Sequence, residues 1–315
     1  MRYTNAIQFI AGCAFILLWI ASAAFAQAKD TPSVRVVASF SILGDWVKQI
    51  GGHRVHIHSL IGPDSDVHVY KPRPRDARAL GRASLVVVNG AGLEGWLDRL
   101  IEASGTRAPV VVVSDGIDWL PVTDTDIGTD HSGHGHDDHE HDPHGWQTVS
   151  NARQYVKNIT AALCTADAAG CMLYSANMDA YIQALESLDQ DIRRLIRKVP
   201  RARRTAVTSH AAFRYFGQAY GIDFIAARGI SASAQARPAT LARLIKRMRA
   251  QRVNGIFLEN VANTRLLEQV ARDTGARIGG TLYSDALTGP DGPAPTYIDM
   301  MRHNATTLAN ALRDM

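Results

Sequence analysis

Two short apolar runs constrain the fold of this chain more than any other feature of its sequence. Residues 85–89 read LVVVN and residues 110–114 read VVVVS, so each run is rich in valine and ends at a polar residue. Continuous runs of this length are typical of strands that are buried on both faces of a parallel sheet. Apolar residues at helical spacing over 93–103 supply the crossover that parallel strands need. The first half is therefore predicted to be a βα-alternating domain with a parallel sheet.

The same alternation returns after residue 200, which predicts a second half similar to the first. In the first half, further strands are predicted at 34–38 and 55–60, and helices at 43–50 and 76–81. In the second half, the predicted strands are 205–208, 224–225, 255–258 and 278–282, and the predicted helices are 211–220, 241–251 and 264–274.

One long helix is predicted between the two halves. Residues 172–198 contain no Gly or Pro and repeat apolar residues at helical spacing. Such a helix would be about 40 Å long at 1.5 Å per residue. Its predicted buried face consists of Leu173, Ala176, Ala180, Ala184, Leu185, Leu188, Ile192 and Leu195.

The amino terminus has the features of a secretory signal peptide. Residues 1–26 combine Arg2, an apolar run at 14–20 and a small-x-small pattern that ends at Ala26. The apolar run is shorter than the roughly 20 residues that a bilayer span needs. A lipoprotein cleavage box at 10–13 is the alternative, but it would put the strongest apolar run on the wrong side of the cut. We expect a cleavable signal and a periplasmic mature protein.

Charge and cysteine content narrow the function classes further. The chain has 34 Lys and Arg against 30 Asp and Glu, and we interpret this small excess as scattered, which argues against nucleic acid as a partner. Cys164 and Cys171 remain after signal cleavage and are predicted to form a local disulfide in an oxidising compartment. Two buried thiols are the alternative, and a metal site at this pair is less favoured because no further His or Cys lies nearby in the sequence.

A segment rich in histidine, aspartate and glycine points to metal. Residues 124–143 lack apolar periodicity and are predicted to be a low-complexity loop with auxiliary, weak metal-binding capacity. The predicted loop ligands are His131, His134, His136, His139 and His141. His144 differs from them because Pro143 restricts the backbone beside it.

Three histidines and one aspartate are placed where ligands bind in α/β proteins. His68, His210 and Asp285 each follow a predicted strand, and His144 precedes a helix whose predicted cap is Ser150 or Asn151. A lone histidine is most simply a core or surface residue, but the shared placement of these four favours a site. Three imidazoles and one carboxylate, two from each half, make a closed four-coordinate set that suits Zn²⁺.

Four segments carry a resemblance to a known family. PDSDVHVYKPRPRD, DPHGWQTVSNA, TSHAAFRYFGQAYG and GGTLYSDAL resemble the metal-contacting segments of the periplasmic zinc and manganese solute-binding proteins of ABC transporters, the cluster A-I or ZnuA/TroA-like family. The resemblance runs from about residue 34 to the end, and four ordered motifs are far more specific than one. The carboxyl-terminal stretch 288–304 resembles the AztC-type zinc-binding subgroup in particular.

The resemblance implies two (β/α)₄ domains with parallel sheets, joined by one long rigid linker helix, with metal in the interdomain cleft. The expected division is 27–171 for the amino-terminal domain, 172–198 for the linker helix and 199–315 for the carboxyl-terminal domain. His68, His144, His210 and Asp285 match the ligand positions of the family.

The implied function is a zinc-binding subunit, not an enzyme, that delivers Zn²⁺ to an ABC permease and its ATPase. We expect a monomer, with a periplasmic zinc chaperone as a further partner. A manganese binder is one alternative, although manganese-selective relatives commonly have Glu where this chain has His210. A zinc chaperone or buffer that uses chiefly the loop is another. A zinc hydrolase, from a different class, would need an open water position and a general base, and no HExxH motif is present.

Overall fold

The structure, a computed structural model, describes residues 34–122, 141–231, 238–253 and 255–314. These residues form two four-stranded parallel sheets with helices packed against them. The predicted signal peptide at 1–26 and most of the predicted histidine-rich loop lie outside the described residues. Among the helices that are described, none is long and apolar enough to cross a membrane.

The first sheet has the order β2-β1-β3-β4, and its strands are β1 (Val34–Phe40), β2 (Val55–Ile61), β3 (Leu85–Val88) and β4 (Val110–Val112). β3 is buried along its whole length, as its unbroken apolar sequence predicts. The same prediction for 110–114 is wrong, because β4 forms the edge of the sheet and Val110 is 42% exposed. The helices of this half are α1 (Ser41–Gly51), α2 (Pro74–Leu80), α3 (Leu97–Ser104) and α4 (Val149–Ala166).

The second sheet repeats this topology in the order β6-β5-β7-β8. Its strands are β5 (Thr205–Thr208), β6 (Asp223–Ala226), β7 (Gly255–Glu259) and β8 (Arg277–Leu282). The helices after the long central helix α5 (Cys171–Arg197) are α6 (Arg214–Tyr220), α7 (Pro238–Gln251), α8 (Arg265–Thr274) and α9 (Tyr297–Asp314). The two sheets confirm the predicted α/β class with two parallel sheets.

Several helix ends differ from the sequence prediction, and two of them lie beside the candidate site residues. α6 begins at Arg214 rather than 211, because Ala211 N donates to Gly229 O, a contact within the second half that keeps this turn out of the helix. α4 begins at Val149 after Thr148, and neither Ser150 nor Asn151 is its cap. Asn151 instead donates its side-chain amide to Gly145 O at 3.0 Å.

The long helix α5 lies between the two sheets in the sequence, and its buried face matches the predicted one only in part, at Leu185, Leu188 and Ile192. Ala176, Ala180 and Ala184 are exposed. The buried residues are Tyr174, Tyr181, Leu185, Leu188, Ile192 and Ile196. Tyr174, Tyr181 and Ile196, which the predicted face does not include, complete the buried face.

The carboxyl-terminal helix α9 packs against α5, β8 and α1, so it contacts elements of both halves. The backbone N of Tyr297 at its start donates to Asp45 Oδ2 in α1 at 2.9 Å. One continuous apolar core includes residues of all these elements. The predicted division at 171/172 and 198/199 stays a prediction.

The predicted disulfide between Cys164 and Cys171 is present and joins the end of α4 to the start of α5. Asp167, in the turn between the two cysteines, accepts hydrogen bonds from Arg54 at 2.8 Å and from the Tyr174 hydroxyl at 2.6 Å. The turn between the two helices is thus held both covalently and by a partly buried ion pair.

Candidate metal centre

Four side chains from both halves converge beyond the carboxyl ends of the strands. His68, His144, His210 and Asp285 each offer one donor atom, and these atoms all lie within 4.8 Å of one another. Nε2 of His68 is 3.3 Å from Nε2 of His144, and Nε2 of His210 is 3.1 Å from Oδ2 of Asp285. The structure therefore brings together the four residues that the sequence analysis selected as ligands.

The spacing of the donor atoms suits a small four-coordinate cation. Tetrahedral ligands at zinc distances lie about 3.3–3.5 Å from one another. The oxygens of Asp285 lie 3.1 to 3.7 Å from the nitrogens of the three imidazoles. His68 has 5% of its side chain exposed, and the other three side chains are fully buried. Both Asp285 oxygens accept no hydrogen bond of good geometry from the described residues, which favours a cation as their partner.

Glu259, at the end of β7, holds His210 in place. Its Oε1 accepts the backbone N–H groups of Ser209 at 2.6 Å and His210 at 3.0 Å. Its Oε2 lies 2.5 Å from Nδ1 of the His210 ring. A carboxylate at Nδ1 keeps the proton on that nitrogen, so Nε2 is left to face the cluster as a ligand.

Asp142 plays the same part for His144. Its Oδ1 accepts the backbone N–H of His144 at 3.0 Å and lies 2.8 Å from Nδ1 of the ring. Tyr215, in α6 of the second half, donates its hydroxyl to Asp142 O at 3.1 Å, and Arg214 Nη1 lies 3.6 Å from Asp142 Oδ2. The orientation of a first-half candidate ligand thus depends on contacts from the second half.

Backbone hydrogen bonds hold the segment that carries His68. Asp66 Oδ1 accepts the His68 N–H at 2.8 Å, and the indole of Trp96 donates to Val67 O at 3.0 Å. The segment also reaches the second half, because Asp64 N donates to Leu287 O at 2.9 Å.

Asp285 is positioned from two sides. Trp146 and Gln147 donate their side-chain N–H groups to Ser284 O at 2.9 and 2.7 Å. Asn304 in α9 bonds both backbone groups of Tyr283, accepting from N at 2.9 Å and donating to O at 2.8 Å. The carboxylate is therefore held on a backbone that has little freedom to move.

The charges at the centre shift the pKa values of its histidine and aspartate side chains. Burial lowers the pKa of His210, but Glu259 and Asp285 outweigh burial and raise it well above its usual value. Burial raises the pKa of Asp285, but the three imidazoles outweigh it and keep this pKa well below its usual range. Burial and the charge of Asp285 raise the pKa of Asp66 to about 6. The arrangement favours positive charge at the cluster.

Of the five predicted loop ligands, only His141 lies within the described residues. It pairs with Pro121 in a short antiparallel bridge at the neck of the loop, and its ring stacks on Trp119 at a centroid distance of 6.0 Å. His131, His134, His136 and His139 lie outside the described residues, and the auxiliary role of all five stays a prediction.

The sequence analysis missed the carboxylates that orient the histidines. Asp66-x-His68 and Asp142-x-His144 share one spacing, in which the Asp oxygen accepts the N–H of the His two residues later. That repeated spacing is visible in the sequence. Glu259 directly ends a strand, so the strand-end rule that selected Asp285 would also have selected it.

Comparisons with known proteins match this chain to metal-binding proteins. A family model named ZnuA, described as zinc-uptake complex component A periplasmic, matches residues 36–311. The manganese-binding lipoprotein MntA of Halalkalibacterium halodurans is 35% identical over 284 residues, which are 90% of this chain and 90% of that protein. The iron-binding protein YfeA of Yersinia pestis is 32% identical, over 90% of this chain and 89% of that protein. The periplasmic zinc binding protein TroA from Treponema pallidum superposes with a TM-score of 0.79 at 29% identity, over 89% of this chain and 99% of that one.

Proposed function

Because this chain belongs to the ZnuA family of periplasmic, metal-binding substrate-binding proteins of ABC transporters, we propose that it captures Zn²⁺ outside the cytoplasm and delivers it to a permease for import. Divalent metal binding follows from the family and from the donor cluster, whereas the choice of zinc is our proposal. The relatives are named for manganese, iron and zinc, so their names leave that choice open.

The observation that carries the proposal is which donor atoms form the centre and how fully they are buried. Three imidazole nitrogens and one carboxylate lie within 4.8 Å of one another and are buried or nearly so. Imidazole is a softer donor than carboxylate and suits zinc, while manganese is better served by oxygen ligands and water. A buried cluster of four protein donors also leaves little room for the additional water ligands that manganese takes.

The proposed partners follow from the family. Relatives are substrate-binding lipoproteins of metal ABC transporters, so the partners proposed for this chain are a membrane permease and its ATPase. A periplasmic zinc chaperone and a monomeric state are proposed as well. The relatives also make lipid attachment at Cys13 a serious alternative to cleavage after Ala26, and mass spectrometry of the mature amino terminus decides between them.

A manganese-binding role is the second candidate, and one observation favours it. Asp285 turns both of its oxygens toward the cluster, Oδ1 to His144 at 3.6 Å and Oδ2 to His210 at 3.1 Å. A bidentate carboxylate would raise the coordination number above four, which manganese prefers. A hydrolytic role is less favoured, because a catalytic zinc keeps one position for water and this centre offers four protein donors.

Nitrogen-rich sites bind Zn²⁺ more tightly than Mn²⁺ in almost any competition in vitro, so such a competition would favour zinc in either case. The test therefore uses the metal content of protein purified from its own compartment without added metal. We expect one zinc per chain, and we expect a strain without the gene to need added zinc, not manganese, under chelation. Manganese or iron as the resident metal, or growth rescue by manganese alone, would contradict the proposal.

A further inference from the structure

Positive charge is concentrated at the end of α5 and in the first part of the second half, contrary to our expectation that it is scattered. Between residues 193 and 252 the chain carries fifteen Lys or Arg and one acidic residue, Asp223. The rest of the chain therefore has an excess of acidic residues, although the net charge is only +4. The small net charge hides a strong separation of charge along the sequence.

The helices α7 and α8 place part of this charge on an outer face of the molecule. Their buried residues Leu244, Met248, Leu267 and Val270 pack with Val207 and Ile256 in a small core of their own. Neighbouring strand residues, Ala206 and Phe257, belong instead to the large core that contains α5 and α9. α7 and α8 thus cover the sheet face that points away from the first half.

The exposed cations of α7 and the residue that follows it define an outer basic face: Arg243, Lys246, Arg247, Arg249 and Arg252. No acidic residue occurs in α7. Arg243 is therefore followed by cations three and four residues later, and like charges at these spacings destabilise a helix. The helix dipole explains Arg249 near the carboxyl end, but it does not explain Arg243 and Lys246 in the middle.

Several exposed cations on other helices of this protein pair with acids on the same helix. In α5, Arg193 pairs with Asp189 at 2.7 Å, and Arg194 pairs with Asp191. In α9, Arg302 pairs with Asp299 at 3.4 Å. On the outer basic face, the described residues include an acidic side-chain partner only for Arg247, which lies 3.2 Å from Asp223. The uncompensated repulsion along α7 indicates that an external anion is its partner.

We propose that the outer basic face docks on an anionic phospholipid surface. The proposal rests on the proposed function for its compartment, where the permease lies in a bilayer and nucleic acid is not an expected partner. Clusters of Lys and Arg bind anionic lipid surfaces additively. Because the face lies on α7 and the residue that follows it, docking would leave the metal centre uncovered while it holds the protein close to the membrane that contains the permease.

A shallow groove at the face gives a place for a lipid headgroup. It lies between α7 and α8, and its lining consists of Ala242, Ile245, Lys246, Arg249 and Asp273. Arg249 donates to the backbone O of Asp273 at 2.9 Å, so its guanidinium is held at the wall of the groove. Lys246 and Arg249 would contact a headgroup phosphate, and the side chain of Ile245 would contact the first carbons of the lipid.

The test is co-sedimentation of the zinc-loaded full mature protein with vesicles of phosphatidylcholine, alone or with about a third phosphatidylglycerol. We expect binding only to the anionic vesicles and loss of binding at high salt. The double variant Arg243→Glu and Lys246→Glu should reduce this binding by about tenfold or more. A matched control, Arg99→Glu and Lys157→Glu, makes the same change in net charge at exposed cations of α3 and α4 and should retain most of the binding.

Equal losses in the two double variants would overturn the proposal, because net charge alone would then account for binding. Absence of any preference for anionic vesicles would overturn it too. The proposal would also be overturned if the double variant Arg243→Glu and Lys246→Glu lost affinity for a single-stranded oligonucleotide but kept its vesicle binding. That result would assign the face to another polyanion. Zinc affinity is measured on the same samples, and it separates a failure of vesicle binding from a failure of the proposed function. Neither double variant changes a residue of the metal centre.

Discussion

At the scale of single residues, the candidate ligands could be predicted from the sequence, but the contact that orients His210 could not. Placement after strands selects His68, His210 and Asp285, because parallel strands end at one edge of a sheet. Which nitrogen of a histidine faces a metal depends on what contacts the other one, and for His210 that contact is Glu259, which lies 49 residues away in the chain. Local patterns do not report contacts of this kind.

Glu259→Gln should weaken zinc binding by about 10- to 100-fold, the range that is typical when a group that orients a ligand is lost. A Gln amide that donates to Nδ1 would favour the tautomer with its proton on Nε2, which cannot bind metal. Chelator competition measures the effect. Glu94→Gln is the matched control, because Glu94 is also buried and bonds Ser39 and two backbone N–H groups but none of the candidate ligands. Equal effects of the two variants would mean that Glu259 acts only through folding.

Zinc affinity should rise steadily between pH 6 and pH 8. The raised pKa of His210 means that the metal-free protein holds a proton there at neutral pH, and zinc must displace it. Displacement of one proton predicts a gain of about tenfold in affinity per pH unit in this range. Calorimetry in buffers of different ionisation enthalpy should show the released proton directly. A constant affinity from pH 6 to pH 8, with no proton release, would rule out this assignment.

At the scale of helices and strands, periodicity predicted the order and kind of nearly every described element. It failed where tertiary contacts decide: β4 is an edge strand because of sheet order, and α5 buries Tyr174 and Tyr181 rather than its alanines. The neck of the histidine-rich loop is another such case. Its two sides meet through the Asp142 N–H, which donates to Leu120 O at 2.8 Å, and α6 of the second half holds them together.

Tyr215→Phe should speed zinc dissociation by about tenfold. The Tyr215 hydroxyl accepts from Leu120 N at 2.9 Å and donates to Asp142 O at 3.1 Å, and each lost hydrogen bond is worth about 1 kcal/mol. Tyr220→Phe is the control on the same helix, since that buried hydroxyl bonds Asp189 at 3.0 Å, away from the neck. Stopped-flow transfer of zinc to a chelator measures both rates. Similar rates for the two variants would show that the neck does not hold His144.

At the scale of the whole molecule, two similar halves could be predicted from repeated βα units, and the structure confirms two parallel sheets of the same topology. The contacts that fix one half against the other could not be predicted, because they join residues far apart in sequence. Trp146 bonds Ser284 beside Asp285, and Asp45 accepts the first N–H of α9. Through such contacts the donors of both halves are already close together in the folded chain.

The central claim is that one Zn²⁺ binds between these halves on three imidazoles and one carboxylate. The most direct test is anomalous scattering at the zinc edge from crystals of protein purified without added metal. We predict a single peak, at about 2.0–2.2 Å from Nε2 of His68, His144 and His210 and from an oxygen of Asp285. A peak bound by other histidines, a water molecule in place of Asp285, or a peak at the manganese edge instead of the zinc edge would contradict the account.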